Sequence, residues 1–271
     1  MKKVALVTGA SAGIGKDTAR LLAENGFVVY AAARRVGKME DLKKSGVHLL
    51  EMDVTSEESM VKGIDEILKT EKRIDVLVNN AGYGSYGALE DVPLPEARYQ
   101  FEVNIFGLAR LCQLVLPAMR AQRSGKLINI SSIGGSFGEP HGAWYHATKY
   151  ALEGLSDSLR MELKQFGIDV VIIKPGAIKT EWASIAREKM KAVSGNTVYQ
   201  KLVKKHVALF ERADGKFGSE PIVVARKILK VAQSAHPGTR YAIGAGAKPI
   251  LFVRGVLSDR MFDRFMMGMM R

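Results

Sequence analysis

Residues 3–22 read "KVALVTGASAGIGKDTARLL": an apolar run, a turn containing glycines, then a helical stretch, and this order decides the fold. The run "KVALVTG" is apolar on both faces, as a parallel strand covered by helices on both sides must be. Gly9, Gly13 and Gly15 follow at once and lead into "KDTARLLAENG". Glycine lets a backbone turn tightly and approach a pyrophosphate, and a helix start offers unpaired N–H groups with partial positive charge. The spacing is G-x-x-x-G-x-G, not G-x-G-x-x-G, but its place between strand and helix marks a phosphate cradle. Ser11 and Ile14, between the glycines, are assigned to the same cradle.

The pattern of the first unit repeats along the chain. "FVVYAAA", "VHLLEMD", "DVLVNNAG", "GKLINISS" and "IDVVIIKPG" are short runs rich in Val, Ile and Leu, separated by amphipathic helical stretches. "TRYAIG" is a seventh candidate strand, preceded by a helix opening at "SEPIVVARKILKVAQ", where Ser219 can cap and Pro221 can occupy the first turn. Such alternation predicts an α/β chain with a doubly wound, Rossmann-like parallel sheet of about seven strands and helices on both faces. No repeat or linker suggests a second domain, so residues 1–271 are read as one domain. From about residue 183 to 218 the alternation stops. One or two amphipathic helices are inserted there, after a strand, at the end of the sheet where ligands sit, and are expected to form a substrate lid.

Composition narrows the function classes. There are 40 Lys plus Arg against 28 Asp plus Glu, a net charge of +12, which favours anionic partners such as a phosphorylated cofactor or an anionic membrane surface. No basic run with interleaved aromatics supports nucleic acid. The single cysteine, Cys112, reads as a buried structural thiol, so no intrachain disulfide forms, and the five scattered histidines give no metal site. The apolar run after the two N-terminal lysines is too short for a secretory signal, and no stretch approaches membrane-spanning length. A cytoplasmic protein is the expectation.

Two further features point to chemistry. In "GAWYHATKYALEG" at 142–154, Tyr145 and Lys149 are four apart and share a helix face. At the end of the second strand, where a dinucleotide fold for NAD carries a carboxylate, the sequence is "AAARR". Arg34 and Arg35 offer planar donors to a 2′-phosphate with no acid at that strand end to repel it, so NADP(H) is expected over NAD(H).

With "TGASAGIG", "NNAG" at 79–82, "YHATK" at 145–149 and "PGAIKT" at 175–180, the chain resembles the short-chain dehydrogenase/reductase family over roughly residues 3–180. The resemblance implies Tyr145 as general acid/base, Lys149 lowering its pKa and binding the nicotinamide ribose, Ser132 on the substrate carbonyl, and Asn104 holding a water in a proton relay. It places Asp53 and Val54 near the adenine, Asn80, Ala81 and Gly82 near the ribose and adenine, and Pro175, Gly176, Ile178 and Thr180 by the nicotinamide. Ala12 departs from the basic residue that many NADP-preferring members have there, which leaves the coenzyme preference on Arg34 and Arg35. Such proteins are commonly dimers or tetramers through the helices that carry Asn104 and Tyr145.

A free phenol titrates near pH 10, so a neighbouring ammonium would help make it a workable acid and base. Trp144 is read as packing and His146 as an incidental neighbour of Tyr145. The tail from about residue 248 to 271 mixes Phe, Leu and Met with basic residues; it either lines a lipophilic cleft, touches a bilayer, or docks on its own core or another subunit. The insertion and tail most resemble the hydroxysteroid and retinol dehydrogenase-like branch, which implies a hydrophobic alcohol and its ketone or aldehyde as substrates. A 3-oxoacyl-thioester reductase of the same fold and a non-catalytic NADP-binding sensor remain as alternatives.

Overall fold

The computed structural model describes residues 2–212, 215 and 217–270. The expected runs form β1 (Val4–Thr8), β2 (Val28–Ala33), β3 (His48–Glu51), β4 (Val76–Asn79), β5 (Gly125–Ile130), β6 (Ile168–Pro175) and β7 (Arg240–Ile243). Among the described residues they make one seven-stranded parallel sheet in the order β3-β2-β1-β4-β5-β6-β7. The winding reverses between β1 and β4, and the crevice at the carboxyl ends of these two strands is where a doubly wound sheet binds ligands.

Register shows why both faces need apolar residues. Leu6, Leu77, Leu127 and Val170 stand side by side across β1, β4, β5 and β6, and the next row is Val7, Val78, Ile128 and Val171. The first row faces one core and the second the other, with every member at most 2% exposed. Burial of each such side chain contributes about 1.5–3 kcal/mol, so two continuous apolar layers fix the register. The first core is closed by α2 (Glu57–Glu71), α4 (Gly107–Gln122) and α5 (Ala143–Leu163), the second by α1 (Gly13–Glu24) and α8 (Pro221–Gln233). Ser56 caps α2 by accepting from the Ser59 N–H at 3.3 Å.

Two sequence expectations need correction. Ser219 does not cap α8, whose cap position is Glu220; Ser219 instead pairs its backbone with Ala177 and Lys179. A membrane-length apolar helix does exist by length and composition: α3 (Leu94–Phe101), a π turn (Glu102–Phe106) and α4 run together as 29 residues with a window of mean hydropathy 1.3. Leu108, Leu111, Cys112, Val115 and Met119 on this helix are buried in the first core, which explains its apolar character without a bilayer.

The insertion forms α6 (Glu181–Ser194) and α7 (Gln200–Arg212), and the tail forms α9 (Ala247–Val256) and α10 (Asp259–Met269). Residues 213, 214 and 216 of the insertion and 271 of the tail lie outside the described residues.

Candidate active site

The glycine-rich turn after β1 is held from beneath. Asn80, just past β4, donates from Nδ2 to the carbonyls of Thr8 and Gly9 at 3.0 and 3.2 Å, while the Thr8 hydroxyl accepts from the N–H groups of Asn80 and Ala81, both at 3.0 Å. Gly9 has φ +64°, and a Cβ there would stand 2.8 Å from Ala81 Cα. On Gly15 a Cβ would stand 2.5 Å from the Gly9 carbonyl oxygen. The three expected glycines thus do different work: Gly15 admits the turn's own backbone, while Gly9 and Gly13 line the cleft above it with Ser11 and Ile14. This tight, side-chain-free cradle at the start of α1 fits a dinucleotide pyrophosphate.

From the cradle a cleft of about 690 Å³ runs along the carboxyl ends of the strands. Arg34 and Arg35, Asp53 and Val54, and Asn80 to Gly82 line its cradle side. Ser132, Tyr145 and Lys149 line its middle, facing Pro175, Gly176, Ile178 and Thr180 across the sheet end. Beyond Tyr145 the walls turn apolar, with Phe137, Trp182, Ile185 and Phe210. Ile185, Leu209 and Phe217 from the insertion and Ile250, Met266 and Met269 from the tail share in that wall, so both segments lie against the chamber. Asn104 does not line the cleft. It is 2% exposed, and its amide ties down Tyr83, accepting from the Tyr83 N–H at 3.1 Å and donating to its carbonyl at 3.0 Å and to Thr148 Oγ1 at 3.1 Å. The π turn that carries Asn104 is a feature frequent at functional sites and unreadable from spacing.

Ser132 sits just past β5, where its Oγ accepts from the Gly134 N–H at 3.0 Å and its hydroxyl also hydrogen-bonds Tyr145. Lys149 is buried and donates to the Ile130 carbonyl at 2.9 Å, with Nζ 5.9 Å from the centre of the Tyr145 ring. Burial pulls the Lys149 pKa down from 10.5 to about 8, against the charge of Glu153 one helical turn on. Glu153 is itself held by Lys174 at 3.2 Å and Arg240 at 2.9 Å. Burial also dominates at Tyr145 and raises its pKa above 10, opposed by a hydrogen bond with Ser132 and reinforced by Glu139. Burial thus sets the direction at Tyr145, whose pKa lies above the ordinary phenol value.

The arginines at the end of β2 have partners within the chain. Arg34 donates to the Tyr99 hydroxyl at 2.9 Å and stands 3.9 Å from Asp53. Arg35 donates to Ser11 Oγ at 3.1 Å and to Glu181 at 3.0 Å, and Lys38 reaches the other Glu181 oxygen at 3.0 Å. The strand end carries no acid of its own, but two carboxylates from elsewhere in the chain face these cations.

Three histidines that looked scattered gather beside Tyr145. Glu139 lines the cleft and accepts from the Tyr86 hydroxyl at 2.9 Å, with His146 Nε2 and His206 Nε2 each 3.7 Å from one of its oxygens. His141 Nδ1 lies 3.1 Å from His206 Nδ1. His146 is thus part of a polar cluster, not incidental packing. Cys112 is the inert thiol expected: buried, with Asn79 Nδ2 3.3 Å from its sulfur, and pushed by burial up to about 12. Among the described residues no group of side chains could hold a metal ion.

The sequence matches the family described as short chain dehydrogenase over residues 3–191. An uncharacterized oxidoreductase of Bacillus subtilis, YusZ, is 38% identical over 265 residues, covering 94% of both chains. A protein of Bacteroides thetaiotaomicron named 3-ketodihydrosphingosine reductase is 36% identical over 242 residues, covering 89% of this chain and 88% of its own. A crystal structure of a short-chain dehydrogenase from Streptomyces avermitilis superimposes with a TM-score of 0.80 at 33% identity, covering 93% of this chain and 91% of that one.

Proposed function

Because the chain belongs to the short-chain dehydrogenase family and is an oxidoreductase acting on alcohol and carbonyl groups, we propose that it interconverts a hydrophobic ketone or aldehyde and its alcohol with NADP(H). One observation carries this reading: a single cleft has a glycine cradle at one end, Ser132, Tyr145 and Lys149 in the middle, and an apolar chamber at the other. The relative named as a reductase of 3-ketodihydrosphingosine supports a carbonyl substrate.

The nicotinamide dinucleotide, when bound, supplies or accepts the hydride. Gly9, Gly13 and the start of α1 would hold its pyrophosphate, and Arg34 and Arg35 its 2′-phosphate. Ser132 turns its hydroxyl proton from Tyr145 to the substrate oxygen and orients it. Tyr145, kept protonated by burial, gives its proton to that oxygen as an alcohol forms, and takes it back in the reverse direction. Lys149 offsets the phenolate charge in either direction. Asn104 positions the backbone at Tyr83 behind this group. The lid helices α6 and α7 and the tail exclude water from the chamber.

In the same reading two copies join through α4 and α5, where Phe106 at the end of the π turn is 57% exposed and Tyr150 and Met161 on α5 are 48% and 70% exposed. The tail's outward Phe252, Val256 and Met261 are the face a bilayer would meet, and co-sedimentation with anionic vesicles decides between that contact and none.

The test is a panel of ketones, aldehydes and acyl thioesters with NADPH and NADH, followed at the nicotinamide absorbance band. Turnover of apolar ketones with NADPH is expected. Tyr145→Phe is expected to bind NADPH normally and lose at least a thousandfold in kcat; near-normal rates in that variant overturn the assignment.

A further inference from the structure

The lid helix α6 places one large side chain against the Tyr145 phenol. Trp182 stands in its first turn, where its N–H donates to the capping Thr180 hydroxyl at 3.3 Å. Its ring centre lies 5.0 Å from that of Tyr145 at a tilt of 54°, and 5.8 Å from that of Tyr86 in an edge-to-face contact at 89°. Phe210 of α7 adds a third ring at 6.2 Å. Aromatic pairs at such separations attract, so each neighbour helps to hold the indole in place. Tyr86 is a firm support, for it is 1% exposed and its hydroxyl is tied to Glu139 at 2.9 Å.

The same indole reaches the far side of the cleft. Strand β5, which ends next to Ser132, lies between β4 and β6 in the sheet. Trp182 follows β6, while Gly84 follows β4, and a Cβ added to Gly84 would stand 2.5 Å from Trp182 Cζ2 and 2.9 Å from Cε2. The ring is therefore seated on the Gly84 backbone, in space that exists only because this residue has no side chain. A single added carbon would already be inside van der Waals contact, so no alkyl chain passes between the indole and Gly84. Trp182 thus bridges the cleft beside Tyr145, from the β6 side to the β4 side.

A substrate carbonyl has fixed requirements here. Its oxygen must reach the Ser132 and Tyr145 hydroxyls, so its carbon lies next to the ring on which the indole is packed. One substituent on that carbon can run into the apolar chamber along Phe137, Ile185 and Phe210, which line it. The other meets Trp182. We propose that Trp182 is a specificity-determining residue that limits the reacting carbon to one extended substituent and one short one. The proposal narrows the substrate class of the apolar carbonyl reading above and rests on it for the reaction, but not for the binding. In a packed apolar wall one methylene is worth about ten- to two-hundredfold in discrimination.

The test is calorimetric titration of the full chain with octan-2-one and octan-4-one. These isomers have the same atoms and differ only in where the oxygen divides the chain. Saturating NADP+ is present, which has no hydride to give, so neither ketone reacts. The wild type is expected to bind octan-2-one at least tenfold more tightly than octan-4-one. Trp182→Ala is expected to bring the two affinities within threefold, with octan-4-one gaining. Each ratio is measured within one protein, so general damage to the fold cancels. A wild type that does not favour octan-2-one, or that binds neither isomer, overturns the proposal. So does a preference that survives in Trp182→Ala, or one that disappears there only because octan-2-one binds more weakly. If neither ketone is reduced with NADPH while the binding preference holds, the proposed reaction falls and the gate at Trp182 stands.

Discussion

Arg35 Nη2 lies 3.0 Å from Glu181 Oε2, which joins the end of β2 to the first residue of lid helix α6 across the mouth of the cleft. Both side chains are about half exposed, so the pair itself contributes at most about 1 kcal/mol. Its effect is on the donors a 2′-phosphate would use. Glu181→Gln frees Arg35 and Lys38 and is expected to lower the KM for NADPH about two- to fivefold while leaving that for NADH unchanged. Steady-state kinetics with both coenzymes checks this, and equal effects on the two would remove Arg35 from phosphate recognition.

The depressed pKa of Lys149 sets a pH window for stability. Its folded value is about 8 against 10.5 for the free side chain. Between these the unfolded chain binds more protons, so this residue makes stability rise with pH across the window; below about pH 8 the folded state carries the whole cost of the buried ammonium. Lys149→Met is therefore expected to be more stable than wild type at pH 7 by about 1–3 kcal/mol, with the gain shrinking toward pH 10. Urea unfolding at several pH values measures it. Activity is expected to fall sharply in the same variant, since the charge that costs stability is the one that offsets the phenolate.

Gly9 cannot accept a side chain. With φ +64° and Ala81 Cα 2.8 Å from an added Cβ, Gly9→Ala meets backbone that cannot swing aside. A loss of about 1–3 kcal/mol in unfolding free energy is expected, together with weaker coenzyme binding. Gly26, at φ +87° but with open space around its Cβ position, is the control for backbone strain alone.

Tail removal should alter substrate choice. Ile250, Met266 and Met269 line the chamber, and Phe262 and Met266 pack on Phe137. A chain ending at Gly246 is expected to show about a tenfold higher KM for octan-2-one, with a smaller change for butan-2-one, because only the longer alkyl chain extends far enough to be covered by these side chains. Equal changes for the two ketones would mean that the tail only supports the fold.

How much of this was legible follows from the range over which each residue acts. The strands were readable because Leu6 and Val7, or Leu127 and Ile128, alternate between two apolar cores, and both must be hydrophobic. The Tyr145 and Lys149 pair was readable because helical spacing is local. Glu181 was not, since it reaches Arg35 from 146 residues away, and no pattern within the "AAARR" stretch announces it. The Glu139 cluster was hidden for the same reason: His206 arrives on the inserted helix α7, so its histidine partners looked scattered. Asn104 was found by motif, but the π turn that aims it inward has no period of its own. Ser219 had the right chemistry for a cap and was taken instead by a backbone pairing with Ala177.

The hydrogen bonds from Asn80 and Thr8 that fasten the glycine turn settle when its conformational freedom is lost. A loop of this composition left loose would have to be immobilised afresh by every incoming pyrophosphate, and the association constant would drop accordingly. Here that ordering is completed once, as the chain folds, and each later encounter with a dinucleotide meets a receptor already in shape.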